Sequence, residues 1–290
     1  MKKYQINTFI KFLKFLKTKR YPLYQEFMRN EELKELMKNS KIKTVYQPIL
    51  SLVDGSTVGF EILNRPETTV QFPTTENFYD FVGRSSYVFM VERFLRNLSL
   101  ERYAEQVRDL QVYKEQLVFL NIQSQVLADP DYRSGITLEL LAKYNLSPNQ
   151  IVLELTEKQA VLNNDQFKKM IEHYRRQGFR IAVDDAGTGY NSLQTLVYIK
   201  PEFIKLDKTL IRNIGEHKEQ QHLVELLVKY AFQVGTTVIA EGIETKSEYE
   251  YVKKLGVHMG QGYGLGKPMP DLANGNIPMT NFLNPLALIL

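Results

Sequence analysis

The alternation of short β-rich runs with longer amphipathic stretches constrains the fold of this chain more than any other feature. From Lys43 onward eight such runs follow one another, and helical segments such as 167–177 and 220–234 separate most of them. The runs are 45–50, 57–63, 117–122, 151–155, 180–184, 203–206, 237–240 and a short one near Met259. This alternation predicts βα units in a parallel sheet. Eight strands in about 230 residues predict an α/β fold, a (β/α)8 barrel of the TIM type.

The start of the chain departs from this regular pattern in two ways. The first two runs are joined only by a short segment around Asp54-Gly55, a hairpin signal, so we predict that the first strand pair of the barrel is antiparallel. The residues before the first run are helical in pattern, with one helix before Tyr21-Pro22 and a second that includes residues 32–37. We therefore predict an N-terminal helical extension over residues 1–40 and a barrel domain over residues 41–290.

Composition limits the kind of metal site and the location that this chain can have. It contains no cysteine, which excludes disulfides and thiolate ligands, and its four histidines form no zinc-type cluster. Any metal would therefore be held by oxygen or histidine, and oxygen is favoured. The net charge of +4 is a mild excess that does not by itself indicate nucleic-acid binding. No apolar run reaches the roughly 18 residues of a membrane span, and the N-terminus makes a poor signal peptide, so we expect a cytoplasmic protein.

Polar and charged residues recur at or just after the C-terminal ends of the predicted strands. They are Glu61, Asn121, Glu154, Asp184, Asp185, Lys205, Glu241 and Gln261. Barrel enzymes build their active sites at this face, and a carboxylate is costly to bury unless it is paired or bound to a metal. Carboxylate and carboxamide oxygens suit Mg²⁺ or Mn²⁺, and two such ions bridged by one aspartate are a standard arrangement for phosphodiester hydrolysis. The pattern predicts a metal-dependent barrel hydrolase.

At these same residues the sequence resembles the EAL phosphodiesterase family. The matching segments lie between Tyr46 and Pro270 and read YQPIL, GFEILNRP, FLNIQ, LELTE, IAVDDAGTGYNSL, FIKLD, VIAEGIET and QGYGLGKP. Each segment is short, but their order and spacing are specific. The resemblance implies an enzyme that hydrolyses cyclic di-GMP to linear pGpG with two ions of Mg²⁺ or Mn²⁺. It also implies a homodimer formed through the loop after Asp185.

The resemblance assigns a role to each matching position. The first metal would be held by Glu61, Asn121, Glu154 and Asp184. The second metal would be held by Asp185, Glu241 and the bridging Asp184. Lys205 would contact the attacking water, and whether Glu241 is also the general base stays open. The implied substrate-binding residues are Arg65, which would reach a phosphate, and Gln261, which closes the rim near the second metal. The implied residues that anchor the site loops are Glu157 and Glu244.

Three positions depart from the family pattern. Ile62 stands in place of the usual alanine, and strand alternation predicts that it points away from the site. Ala186 replaces a phenylalanine and Asn191 a common serine, changes that could loosen the loop at 187–193. A weak or inactive barrel that senses cyclic di-GMP or binds other proteins therefore stays an alternative. A barrel hydrolase for a different phosphodiester is a second alternative.

Several of these features also have purely structural interpretations. Asp184-Asp185 followed by Gly-Thr-Gly is compatible with a turn after a strand, and Glu154 and Glu157 are compatible with ion pairs on the barrel rim. Lys205 would then be a charge partner for a rim carboxylate. The glycine-rich segment 262–267 fits neither the dinucleotide fingerprint nor the P-loop, so we interpret it as a loop that closes the barrel.

The N-terminal helix combines apolar residues with Lys11, Lys14, Lys17, Lys19 and Arg20, and three interpretations stay open. It packs on the barrel as a cap, which is the leading interpretation; it lies on an anionic membrane surface; or it is a partner-binding arm. The membrane interpretation adds peripheral membrane association to the expected cytoplasmic location. We expect the apolar tail 282–290 to dock on the protein, because it is too short to span a bilayer.

Overall fold

The computed structural model describes residues 2–38, 41–123, 125–126, 135–156, 164–187 and 192–278. Its strands are β1 (Ile42–Ser51), β2 (Thr57–Pro66), β3 (Leu117–Asn121), β4 (Ile151–Thr156), β5 (Arg180–Ala186), β6 (Phe203–Leu206), β7 (Thr237–Ala240) and β8 (Met259–Gly260). Its α-helices are α1 (Lys2–Lys38), α2 (Thr75–Arg84), α3 (Val88–Asp109), α4 (Ile136–Tyr144), α5 (Asn164–Arg176), α6 (Ser192–Ile199), α7 (Lys208–Ile211), α8 (Lys218–Val234) and α9 (Lys246–Lys254). Short 3₁₀ turns lie at Gln111–Tyr113 and Pro148–Gln150. The predicted tail 282–290 lies outside the described residues.

The eight strands close into one barrel in chain order. From β2 to β8 neighbouring strands are parallel, whereas β1 is antiparallel to β8, with Leu50 opposite Gly260. β1 turns back into β2 through a tight hairpin in which Gly55 has a φ of 77° and the amide of Ser51 donates to the carbonyl of Ser56. The predicted barrel with an antiparallel first strand pair is confirmed, and each of the eight predicted strands is present.

A small apolar cluster fills the interior of the barrel. It consists of Ile49, Phe119, Val152, Ala182, Phe203 and Ile239. Phe119 on β3 and Phe203 on β6 pack edge to face with ring centroids 5.4 Å apart, a contact between strands that are not neighbours. Ile62 belongs instead to the larger cluster, which includes residues of the surrounding helices. The alternation of side chains along β2 therefore places Ile62 away from Glu61, as predicted.

The chain divides into two compact units. They are residues 1–43 with 65–82, and residues 44–64 with 83–290. The barrel strands lie mainly in the second unit. In the first unit, α1 buries Leu33 and Leu36, and the rings of Phe72 and Phe78 pack edge to face at 5.5 Å. The predicted division of the chain at residue 40 stays a prediction.

The N-terminal helix is continuous where the sequence predicted two helices. α1 runs from Lys2 to Lys38 with Pro22 inside it, so the predicted break at Tyr21-Pro22 is wrong. A proline removes one main-chain hydrogen bond, here to the carbonyl of Thr18, and weakens a helix without always ending it. Residues 20–24 are exposed, so water can satisfy the released carbonyl. None of the described helices combines the length and the apolar character that crossing a membrane requires.

Candidate active site

The period of two along a β-strand brings polar side chains to the C-terminal rim of the barrel. Five interior apolar residues are each followed, two positions later, by a polar residue that faces the same way. The pairs are Phe119 and Asn121, Val152 and Glu154, Ala182 and Asp184, Phe203 and Lys205, and Ile239 and Glu241. The apolar layer thus supports a polar layer directly above it.

Lys205 lies at the centre of this polar layer and is only 1% exposed. Its Nζ atom is 2.8 Å from a carboxylate oxygen of Glu154 and 2.8 Å from one of Glu241. It is also 3.4 Å from an oxygen of Glu61 and 3.4 Å from one of Asp184. Burial alone would lower the pKa of Lys205, but the four carboxylates hold this pKa well above its usual value. The side chain is therefore a charged ammonium.

A chain of amide hydrogen bonds fixes the carboxylate of Glu61. Asn121 donates to one of its oxygens at 2.9 Å, and Gln261 donates to the other at 2.6 Å. The Gln261 amide also contacts Gln47 Oε1 at 3.1 Å, and the Gln47 amide donates to the carbonyl of Gly266 at 3.2 Å. The sequence-based site did not include Gln47. Because β1 is antiparallel to its neighbours, its N-terminal end lies at the rim. Counting two residues backward along β1 from the interior Ile49 leads to Gln47.

Burial and mutual repulsion shift the pKa values of the carboxyl groups in this layer. Burial raises the pKa of Glu241 to about 8, and neighbouring carboxylates add to this effect although the Lys205 ammonium opposes it. Burial and the adjacent Glu61 carboxylate also raise the pKa of Glu154 well above its usual value. Burial acts in the same direction on Glu61, but Lys205 and the two amide hydrogen bonds outweigh it and lower that pKa. The single ammonium of Lys205 is therefore insufficient to keep all carboxyl groups of this layer ionised.

The donor atoms of this layer fit divalent metal ions. One oxygen from each of Asp184, Asp185 and Glu241 lies within 4.8 Å of the other two, close enough for all three to bind one ion. The carboxylate oxygen Oε2 of Glu154 is buried and accepts no hydrogen bond from the described residues. When fully ionised, the four carboxylates that contact Lys205, the Asp185 carboxylate and the ammonium carry a formal charge of −4, which two divalent cations would neutralise.

A local irregularity in β5 brings two successive aspartates to the rim. The pairing of β5 with β6 shifts register between Val183 and Ala186, and Asp185 adopts a positive φ of 55°. Such a bulge re-aims a side chain that would otherwise point to the opposite face of the sheet. The amide of Asp185 donates to Oδ1 of Asp184 at 3.0 Å. Ala186 is fully buried, whereas Asn191 and most of the loop predicted to loosen lie outside the described residues.

The structure brings together eight of the residues singled out in the sequence, and their roles as ligands stay predictions. Of the other three predicted residues, two are described and lie outside this group. Arg65 is exposed near the end of β2 and belongs to the first compact unit. Glu244 is partly exposed and forms a two-pronged ion pair with Arg212 at 2.5 Å. Glu157 lies outside the described residues.

Glu248 holds the loop that follows Glu241, and sequence analysis missed it. Its buried carboxylate accepts hydrogen bonds from the amides of Asn213, Glu244 and Thr245 at 2.9–3.0 Å. Burial would raise the pKa of this group, but the three backbone donors lower it below its usual value. The capping box of Thr245 and Glu248 at the start of α9 is the sequence signal that could have identified it.

We expect Glu248→Gln to destabilise the protein by about 1.5–3 kcal/mol at pH 7, because a neutral amide replaces a charged acceptor of three backbone amides. Since folding lowers the pKa of Glu248, its stabilisation is present above the pKa of the unfolded chain and is lost as the pH falls through the folded value. Urea unfolding at pH 7 and at about pH 3 measures the difference between wild type and variant. Glu250→Gln changes an exposed glutamate of the same helix and is the control. An equal deficit at both pH values would contradict the assignment.

Comparison with known proteins places this arrangement in a family. Residues 30–268 match the family model of the EAL domain. The probable cyclic di-GMP phosphodiesterase PdeB of Escherichia coli K12 is 30% identical over 243 residues, which are 83% of this chain and 45% of PdeB. The cyclic di-GMP phosphodiesterase NbdA of Pseudomonas aeruginosa PAO1 is 27% identical over 252 residues, or 85% of this chain and 31% of NbdA. The chain thus spans less than half of the length of these curated relatives.

A solved structure shows the same barrel. The EAL enzyme Bd1971, in a form bound to cAMP and cyclic di-GMP, superposes with a TM-score of 0.78 at 25% identity. The alignment covers 92% of this chain and 72% of Bd1971. The similarity extends over nearly the whole chain and includes the strands that carry the polar layer.

Proposed function

Because this chain belongs to the EAL domain family, we propose that it hydrolyses cyclic di-GMP to linear pGpG with the help of two divalent metal ions. The observation that carries the proposal is the group of four carboxylates around Lys205, with Asp185 beside two of them, at the C-terminal rim of the barrel. Relatives named as cyclic di-GMP phosphodiesterases, and an EAL enzyme bound to cyclic di-GMP, support the choice of substrate. Reducing the level of this second messenger would be the result.

The proposed metal ligands are those that the family resemblance implies, and the grouping of Asp184, Asp185 and Glu241 supports the second set. The first ion, Mg²⁺ or Mn²⁺, would be held by Glu61, Asn121, Glu154 and Asp184. The second would be held by Asp184, Asp185 and Glu241. When bound, such a pair of ions polarises the scissile phosphate and lowers the pKa of the attacking water. Gln261 keeps Glu61 oriented through its 2.6 Å hydrogen bond.

The protein's own groups then position the reactants and move protons. Water adds to one phosphorus atom, the bond from that phosphorus to the 3′ oxygen breaks, and the 3′ oxygen leaves with a proton. Lys205 is a fixed ammonium that can donate a hydrogen bond to the water or to a phosphate oxygen. We assign the acceptance of the proton from water to Glu241, because its carboxylate lies 2.8 Å from the Lys205 ammonium and beside those of Asp184 and Asp185.

The finer details of the proposal rest on the family resemblance. They are a phosphate contact from Arg65, loop anchoring by Glu157 and Glu244, and a homodimer through the loop after Asp185. The expected cytoplasmic location rests instead on the hydropathy of the sequence. Each of them stays a prediction. Loop anchoring by Glu244 has a physical basis in its ion pair with Arg212.

The test is a direct assay of the product. Purified protein is incubated with cyclic di-GMP and Mg²⁺ or Mn²⁺, and the nucleotides are separated by chromatography. We expect pGpG to accumulate with either metal and none to form in EDTA. Calorimetric titration of cyclic di-GMP runs in parallel. Binding without pGpG would overturn the enzymatic proposal in favour of a sensor, and neither binding nor turnover would favour a protein-interaction module.

A further inference from the structure

The first 25 residues carry a concentration of positive charge that the rest of the chain lacks. Seven of the 37 basic side chains and none of the 33 acidic ones lie in this segment, so 30 basic and 33 acidic side chains give residues 26–290 a formal net charge of −3. The first acidic residue is Glu26, so ion pairs at i,i+4 within α1 cannot neutralise Lys11, Lys14 or Lys17. Charge asymmetry of this degree points to a polyanionic partner for this segment.

The same helix exposes large apolar side chains beside these charges. Tyr21 is 72% exposed, Leu23 52%, Tyr24 56% and Phe27 57%. The basic side chains of Lys11, Lys14, Lys17 and Arg20 are exposed as well. We call these eight side chains the basic–apolar segment of α1. Four large apolar side chains exposed within a few residues of each other indicate a contact surface, in contrast to apolar residues scattered singly over a protein surface.

We propose that the basic–apolar segment of α1 binds the surface of a membrane that contains anionic phospholipids. Lysine and arginine lie at the level of the phosphate groups, where each contributes about five-fold to membrane partitioning. Tyrosine and phenylalanine rings are suited to the interface between headgroups and acyl chains. Burial of a leucine side chain at that depth is also favourable, because it removes apolar surface from water. The contact is peripheral, and the charge of the segment makes it dependent on both lipid charge and ionic strength.

Two other partners fit these side chains less well. A nucleic acid would attract the lysines, and its bases can stack on tyrosines, but it offers no apolar phase for Leu23. A second copy of α1 would bring two segments with seven positive charges each into contact. Residues 26–38 carry four acidic and three basic side chains, a net charge of −1, so an antiparallel copy could not neutralise them. An anionic lipid surface supplies both the negative charge and the apolar phase.

Co-sedimentation of the full chain with vesicles tests the proposal. Vesicles of phosphatidylcholine alone are compared with vesicles that contain about one third phosphatidylglycerol, at low and high salt. We expect binding only to the anionic vesicles and a loss of binding at high salt. The combined variant Lys11→Gln, Lys14→Gln, Lys17→Gln, Arg20→Gln should bind at least ~100-fold more weakly. The variant Tyr21→Ser, Tyr24→Ser, Phe27→Ser should also bind anionic vesicles more weakly at low salt, although its charge is unchanged.

The matched control neutralises four exposed lysines elsewhere and should bind like wild type. Its substitutions are Lys114→Gln, Lys169→Gln, Lys218→Gln and Lys254→Gln. Circular dichroism verifies that each variant folds, and cyclic di-GMP hydrolysis should be unchanged in all of them. Equal loss of binding in the control, or wild-type binding by the Lys11–Arg20 variant, would overturn the proposal. Stronger binding to a nucleic acid than to anionic vesicles, or apolar-dependent dimers that do not bind vesicles, would overturn it in favour of those partners.

Discussion

Asp184→Asn should lower the rate of pGpG formation by at least ~10³-fold, because the substitution preserves the shape of the side chain but removes the charge that two proposed ions would share. Asp184 contacts the Lys205 ammonium at 3.4 Å and has an oxygen within 4.8 Å of oxygens of Asp185 and Glu241. An asparagine there offers one neutral oxygen, so saturation should require more Mg²⁺ or Mn²⁺. Initial rates measured over a range of metal concentrations separate weaker metal binding from slower turnover.

Asp109→Asn makes the same chemical change at an exposed position on α3 and is the matched control. It should leave both the rate and the metal requirement unchanged. If Asp184→Asn retained more than about a tenth of the wild-type rate at saturating metal, the proposed shared ligand would be wrong. The EAL family assignment would stand in that case, because it rests on the match over residues 30–268 and not on activity.

The fold was predictable because apolar strand-like runs alternate with amphipathic helical segments along the chain. The runs 203–206 and 237–240 match β6 and β7 to the residue, since both are fully packed strands bounded by clear breaks. The continuous helix α1 was not predictable, since proline is a strong local signal for a break and sequence does not show that the surrounding turns persist. Local sequence rules therefore predicted which strands and helices are present more accurately than where each one begins and ends.

The candidate site was predictable where a polar residue interrupts an apolar strand, as Glu154 and Lys205 do. Sequence analysis did not identify Gln47 because β1 is antiparallel to its neighbours, so that its N-terminal end faces the rim. Sequence analysis did not identify Glu248 because its carboxylate accepts hydrogen bonds from the backbone amides of a neighbouring loop. Residue type alone does not reveal such contacts. The bulge that turns Asp185 toward the rim is a property of strand pairing between β5 and β6, which is not visible along one strand.

Lys205→Met should destabilise the metal-free protein by about 3–5 kcal/mol at pH 8, because it removes the buried ammonium that four carboxylates share. In a chain of this size the loss corresponds to a decrease in Tm of about 10 °C. The deficit should be smaller at pH 5. Without the ammonium the raised folded-state pKa values of Glu154 and Glu241 rise further, and stability associated with a raised acid pKa is lost as the pH increases through it.

Divalent metal should then stabilise the Lys205→Met variant more than it stabilises wild type. In wild type the ammonium already offsets part of the negative charge, so an added cation gains less; in the variant the metal is the main source of positive charge in the layer. Thermal unfolding in EDTA and in excess Mg²⁺ or Mn²⁺ measures this difference, with Lys169→Met as an exposed control. Activity should remain at least ~10²-fold below wild type even when metal restores the Tm, because in the proposed mechanism Lys205 also donates a hydrogen bond to the water or to a phosphate oxygen. An unchanged Tm in EDTA at pH 8 would show that the carboxylates do not depend on Lys205.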